Sequence, residues 1–168
     1  MVRLASALAL LPLAASAAAQ KLNSWPQRNY GGNGRATDND INTTEEQKFP
    51  TVRFALLFNS WIKLSGFYIQ SSGDFITDYE VTALIGPVGL PRLLDVGQVC
   101  GATGNFTFVP LVNPQDGSPV WSDTLFIEVS AARGNSSTAI INEIWPIFPG
   151  DEIFDPENTS PCPVTTTS

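Results

Sequence analysis

From Thr51 onward, apolar and polar residues alternate with a period of two. Val52, Phe54, Leu56 and Phe58 fall on one side of the chain and Ala55 and Leu57 on the other, the pattern of a half-buried strand, with a turn expected at Asn59-Ser60. A second run sets Leu64, Gly66 and Tyr68 against Phe67 and Ile69 and ends at Ser71-Ser72-Gly73. In a third, Ile76, Asp78 and Glu80 oppose Tyr79 and Val81 as far as Leu84, and Gly86-Pro87 breaks it. The stretch from Gly89 to Gly104 declares no type. Phe106, Phe108 and Leu111 start another strand that the run from Asn113 to Pro119 halts. Leu125, Ile127 and Val129 alternate with polar neighbours in the next, and Ala139 to Trp145 form the last, ended by Pro146.

This spacing of short strands and turns, without helical periodicity, predicts an all-β sandwich or barrel. Phe54, Leu56, Phe58, Ile69 and Val81 are its expected core, with Ala55 and Leu57 facing outward. Gln20 to Thr37 is polar and carries Gly31-Gly32-Asn33-Gly34, so an irregular lead-in with room for one short edge strand is expected. Gly150 to Ser168 is acidic, then broken by Pro156, Pro161 and Pro163, which reads as a loosely packed tail.

The first residues add a compartment. Arg3, the apolar run Leu4 to Leu13 and Ala17-Ala18-Ala19 match a secretory leader cleaved after Ala19, leaving 149 of the 168 residues. The domain plan is therefore a leader at 1–19, a lead-in at 20–35, one sandwich at 36–149 and a tail at 150–168. Nine basic against sixteen acidic residues give a net charge of −7, or −8 once Arg3 leaves. Such a surface repels phosphate backbones and anionic headgroups, so neither nucleic acid nor membrane insertion is expected. In an oxidising route the only two cysteines, Cys100 and Cys162, read as one disulfide tying the tail to the domain. Sequons at Asn42, Asn105, Asn135 and Asn158 fit the same secreted, extracellular setting.

Three blocks between Ala36 and Ile144 resemble the discoidin, or coagulation-factor C-type, domains and the related galactose-binding-like carbohydrate-binding modules. Ala36-Thr37-Asp38-Asn39-Asp40-Ile41-Asn42-Thr43 is similar to the family's A-x-D-G-D-x-x-T turn, with asparagine, which tolerates the left-handed conformation, in place of glycine. Phe54 to Val81 resembles the family's central strands, and Leu125 to Val129 with Ala139 to Ile144 its closing pair. The resemblance implies a jelly-roll β-sandwich that binds ligands through loops at one end. It also implies a structural calcium held by Asp38, Asp40, Thr43 and Glu143, an all-oxygen set of the kind that ion takes. The same residues also read as an ordinary Asx-rich turn, and both readings stand. The chain departs from the family where Glu45 and Glu46 replace an aromatic after the turn, and where Cys100 lies mid-chain.

The chain has no histidine, which removes the commonest general base and zinc ligand and excludes Ser-His-Asp and Cys-His catalysis. A non-catalytic, monomeric binding module is expected. For a glycan or cell-surface ligand the candidates are Trp25, Tyr30, Arg35, Trp121 and Arg133, with Trp61 in a hairpin turn as a further exposed aromatic and Trp145 structural. Each tryptophan also has a plain reading as packing. Two other functions are open: a structural or adhesive protein that meets a protein partner across a flat apolar patch, and a small glycosidase with paired carboxylates in a cleft.

Overall fold

The computed structural model describes residues 18–19, 21–22, 30–32, 34–86, 90–154 and 162. The strands are β1 (Tyr30–Gly32), β2 (Glu45–Lys48), β3 (Arg53–Leu64), β4 (Gly66–Gln70), β5 (Ile76–Ile85), β6 (Arg92–Val99), β7 (Phe106–Pro110), β8 (Val120–Ala132), β9 (Thr138–Ile141) and β10 (Glu143–Ile147). They build a five-stranded sheet ordered β1-β3-β8-β5-β6, a three-stranded sheet ordered β10-β4-β7 and a ribbon of β2 and β9. All pairings are antiparallel.

The period-two pattern becomes the sandwich interior. Phe54, Leu56, Val81, Leu125 and Ile127 from the larger sheet meet Phe67, Ile69, Val109 and Ile144 from the smaller one, and Ala139 and Ile141 of β9 close the same core. Leu56 is fully buried while Leu57 is 47% exposed, as the alternation requires. The lead-in does contain an edge strand, β1, where Gly32 packs so tightly on β3 that a Cβ would lie 1.8 Å from the Ala55 carbonyl oxygen.

Several expectations are corrected. Asn59-Ser60 is no turn: β3 runs on to Leu64, and its register with β8 slips between Leu57 and Ile62, so Phe58 to Trp61 form a bulge opposite Asp123. Trp61 therefore stands on a bulged strand, not in a hairpin. The chain changes sheets at Ser65, whose N–H donates to Ile147 O and whose carbonyl accepts from Leu111 N–H. Ile76 is buried on the same side as Tyr79, because β5 carries an irregularity at Asp78 that shifts the alternation. The undeclared stretch contains β6. The segment Ala139 to Trp145 is two strands, and Pro146 lies inside β10, where its missing N–H costs nothing because β10 is an edge strand.

β4 is buried on both faces. Its outer face is an aromatic layer of Tyr68, Phe106, Phe108 and Trp145, covered by Ala19, Leu22 and Phe154. The start of the tail is thus packed rather than loose. The Tyr68 hydroxyl bonds to the Phe154 backbone, Lys21 pairs with Glu152 at 2.8 Å and its ammonium lies 4.1 Å from the Phe154 ring centre. Cys100 and Cys162 form the expected disulfide, with a Cα–Cα distance of 4.9 Å. The leader up to Ala17 and the sequon at Asn158 fall outside the described residues.

Candidate functional site

The turn after β1 is built around one hydroxyl. A 3-10 turn at Gly34–Thr37 leads into Asn39, whose φ of 62° is the left-handed conformation its place in the turn demands. Thr43 Oγ1 then lies 2.8 Å from Asp38 Oδ2, 3.0 Å from the Asp40 carbonyl oxygen and 3.3 Å from the Arg35 carbonyl oxygen. A hydroxyl carries one proton, so three acceptors converge where one can be served. Glu143, 103 residues away at the start of β10, reaches the same turn and accepts the Asp40 N–H at 3.1 Å.

Glu143 is fully buried. Its carboxyl pKa is pushed up to about 8, chiefly by burial and further by the nearby Asp38 charge, against the lowering effect of backbone N–H donors from Ile144, Asn39 and Asp40. The Tyr30 hydroxyl donates to Ile144 O at 2.9 Å and stands 3.4 Å from Glu143 Oε1. Tyr30 is therefore a half-buried prop beneath the turn. Asp40 turns its carboxylate away, accepting from Asn42 N–H and Nδ2 at 2.9 and 2.8 Å. Among the described residues no three His, Cys, Asp or Glu side chains gather as a metal cluster. A cation here would draw mainly on carbonyl and hydroxyl oxygens with Asp38 and Glu143. Those are hard oxygen donors, the kind calcium takes.

The ligand candidates do not form one group. Arg35 is exposed beside the turn, its N–H 3.4 Å from Glu45 Oε2, in a shallow hollow with Thr44 and Glu46. Arg133 follows β8 in a 3-10 turn, its guanidinium 5.5 Å from the Phe75 ring centre. Trp121 stands at the other end of β8, roughly 40 Å away along a strand rising about 3.3 Å per residue. Trp25 falls outside the described residues.

At the Trp121 end the structure joins two aromatics that the sequence offered separately. Trp121 is 56% exposed, and its ring meets Trp61 edge-to-face, with centroids 5.8 Å apart and planes at 73°. Lys63 is the register partner of Trp121 across β3 and β8 and lies two residues from Trp61, so all three side chains share one outer surface. The bulge that resembles a turn in sequence is what aligns Trp61 with Trp121.

A cleft of about 780 Å³ lies near the opposite end, against Phe49, Pro50, Arg53, Glu80, Glu128 and Asn135. Glu80 and Glu128 face each other across β5 and β8, the arrangement a glycosidase reading needs. Glu128, however, is half-exposed and ion-paired with Arg53 at 3.3 Å, while Glu80 accepts from Gln98 Nε2 at 3.4 Å. Neither sits in the apolar pocket that makes a carboxyl a general acid.

No family model matches the chain, and no curated protein resembles it in sequence. Solved structures do resemble its fold. The family 32 carbohydrate-binding module of NanJ from Clostridium perfringens, in complex with galactose, is 23% identical, with a TM-score of 0.55 over 72% of this chain and 95% of that one. Chitosan-binding module 1 of a Paenibacillus chitosanase/glucanase gives 8% identity and a TM-score of 0.57 over 71% of this chain and 94% of that one. The family 32 module of AlyQ, in complex with 4,5-unsaturated mannuronic acid, gives 10% and 0.54 over 70% and 92%. The chain has the β-sandwich fold of the family 32 carbohydrate-binding modules.

Proposed function

We propose that this protein is a secreted, non-catalytic, monomeric module that binds glycans through the surface carrying Trp121 and Trp61. The observation that carries this reading is Trp121 itself, a large indole more than half exposed and braced edge-on by a second tryptophan. A rigid amphipathic ring loses little entropy on binding and offers an apolar face to a pyranose ring. The fold supports the ligand class, since solved modules sharing it hold galactose, GalNAc-β-1,3-galactose and 4,5-unsaturated mannuronic acid. Secretion is supported by the leader-like N-terminus and by the disulfide. Asn42, Asn105 and Asn135 are exposed and suit N-glycosylation.

Calcium belongs to this reading as a structural ion at Asp38, Thr43, Glu143 and the Arg35 and Asp40 carbonyls. It would neutralise the crowded oxygens and hold the turn rigid. A glycan array probed with wild type and Trp121→Ala, with and without chelator, tests the proposal. Loss of all glycan signals in Trp121→Ala at an unchanged melting temperature is expected; an unchanged array would sink it.

One observation favours the protein-partner reading. Leu57, paired with Thr124, and Leu93, paired with Leu84, are about half exposed on the outer face of the larger sheet. Capture of a protein partner that Leu57→Glu abolishes, in the absence of any glycan signal, would establish it instead.

A further inference from the structure

The tryptophan pair has a cation beside it in a protein dominated by acids. Lys63 is exposed, faces the same surface as Trp61 and Trp121, and has no carboxylate within ion-pairing distance among the described residues. Three other cations are engaged: Lys21 with Glu152, Arg53 with Glu128 and the Phe126 ring, and Arg133 over Phe75. Resting on the glycan reading above, we propose that this site selects anionic sugars, pyranoses bearing a carboxylate, with the indoles taking the ring and Lys63 the charge.

The chemistry follows from the spacing. Register partners in an antiparallel pair have Cβ atoms about 5 Å apart, so the Lys63 stem reaches over the edge of whatever stacks on Trp121. An ammonium is a compact charge with three donors and a flexible stem, and a ring carboxylate can take its place among the ammonium's hydrating waters without bidentate geometry. The net charge of −7 does not forbid an acidic ligand. At physiological ionic strength the Debye length is about 8 Å, so charges at the far end of the sandwich are screened and the local cation decides.

The neighbouring charge that opposes this role is Asp123. It sits across from the bulge and accepts from Thr124 Oγ1 at 3.1 Å. Removing it should therefore strengthen binding.

The test measures retention of the mature secreted protein on polygalacturonate and on the same polymer made neutral by full methyl esterification. Wild type should prefer polygalacturonate by about 10-fold or more, the scale of one charge-assisted hydrogen bond. Lys63→Gln should equalise the two polymers, and Asp123→Asn should widen the preference. Raising salt toward 1 M, where the Debye length is about 3 Å, should erode the acidic preference alone. Trp121→Ala should lose both polymers. Equal binding of the two polymers by wild type, abolished by Trp121→Ala, would overturn the selectivity and leave the glycan site standing. Retention unaffected by Trp121→Ala, or no retention of wild type on either polymer, would overturn both.

Discussion

The backbone N–H of Asp40 donates to a carboxylate oxygen of Glu143 at 3.1 Å, joining the first turn of the domain to its last strand. Glu143 is fully buried, so this contact holds an acid in a place water does not reach.

Without a cation, stability should fall as pH rises. Glu143 titrates near the ordinary carboxylate value, about 4.3, in the unfolded chain but near 8 in the folded one. The folded state therefore holds the proton more tightly across that window. The advantage is complete below pH 4 and is lost as pH rises through about 8, where a buried charge must form. Glu143→Gln keeps the shape and removes the titration. Chemical denaturation in chelator should show wild type weakening by a few kcal/mol over that range, at about 1.4 kcal/mol for each pH step between the two values, against a nearly flat variant. Parallel pH profiles for the two proteins would contradict the assignment.

The β3 register makes neighbouring leucines unequal. Leu56→Ala opens a cavity between the sheets and should cost about 2–5 kcal/mol. Leu57, 47% exposed, should cost well under half as much. Urea midpoints of the two variants compare them directly, and equal losses would mean β3 is covered on both sides.

Alternation was legible wherever one face of a strand meets the core, as at Phe54, Leu56 and Phe58. It failed where both faces are covered: β4 reads as alternating, yet Tyr68 and Phe67 are equally buried because a second apolar layer closes the outer side. β2 was hidden because Glu45-Glu46-Gln47-Lys48 has no strand composition. It forms through its pairing with β9 and through Gln47, whose amide bonds Arg53 N–H and C=O at 2.8 Å each. The turn at Asp38 to Thr43 was readable because its chemistry is local and resembles a family motif, and Asn39 adopts the conformation that resemblance required. The Trp61–Lys63–Trp121 surface was not readable, because it depends on a register slip that no residue announces.

Gly66 marks the corner where the chain crosses between sheets. A Cβ there would lie 2.5 Å from the Val109 carbonyl oxygen and 2.7 Å from the Phe108 ring, so backbone as well as side chain would have to move. Gly66→Ala should destabilise by at least the ~1–3 kcal/mol typical of overpacking. Gly117→Ala, with open space around its Cβ but φ of 72°, isolates the smaller cost of the left-handed backbone. Thermal melts of the pair should rank Gly66→Ala as the worse; the reverse order would show that the corner can relax.

Reducing the disulfide should loosen the tail without dissolving the sandwich. Cys100 and Cys162 are 62 residues apart, and closing a loop of that length is worth about 4 kcal/mol in the chain-entropy model. The denatured, unreduced protein should show no reactive thiol. A Cys100→Ser/Cys162→Ser double variant should melt lower with its core register intact; two titratable thiols in the starting protein would refute the bridge.

Calcium should act on the turn through the same Glu143. Three acceptors crowd Thr43 Oγ1 and only one can receive its proton, while Glu143 stays ionised only against the cost of burial. A divalent cation answers both problems, taking the surplus lone pairs and stabilising the carboxylate. Binding to the folded state alone would add about 2.7 kcal/mol at a hundred times the dissociation constant. It would also flatten the pH dependence argued above, because an ion-bound Glu143 no longer gives up stability as it deprotonates. The expected outcome is a calcium-dependent rise in melting temperature at pH 8 that shrinks toward pH 5, where protons compete for the carboxylate. Glu143→Gln and Asp38→Asn should each remove most of that rise, while Asp40→Asn, whose carboxylate faces Asn42 instead, should keep it. Melting curves indifferent to calcium at both pH values would leave the turn as a hydrogen-bonded loop with no ion.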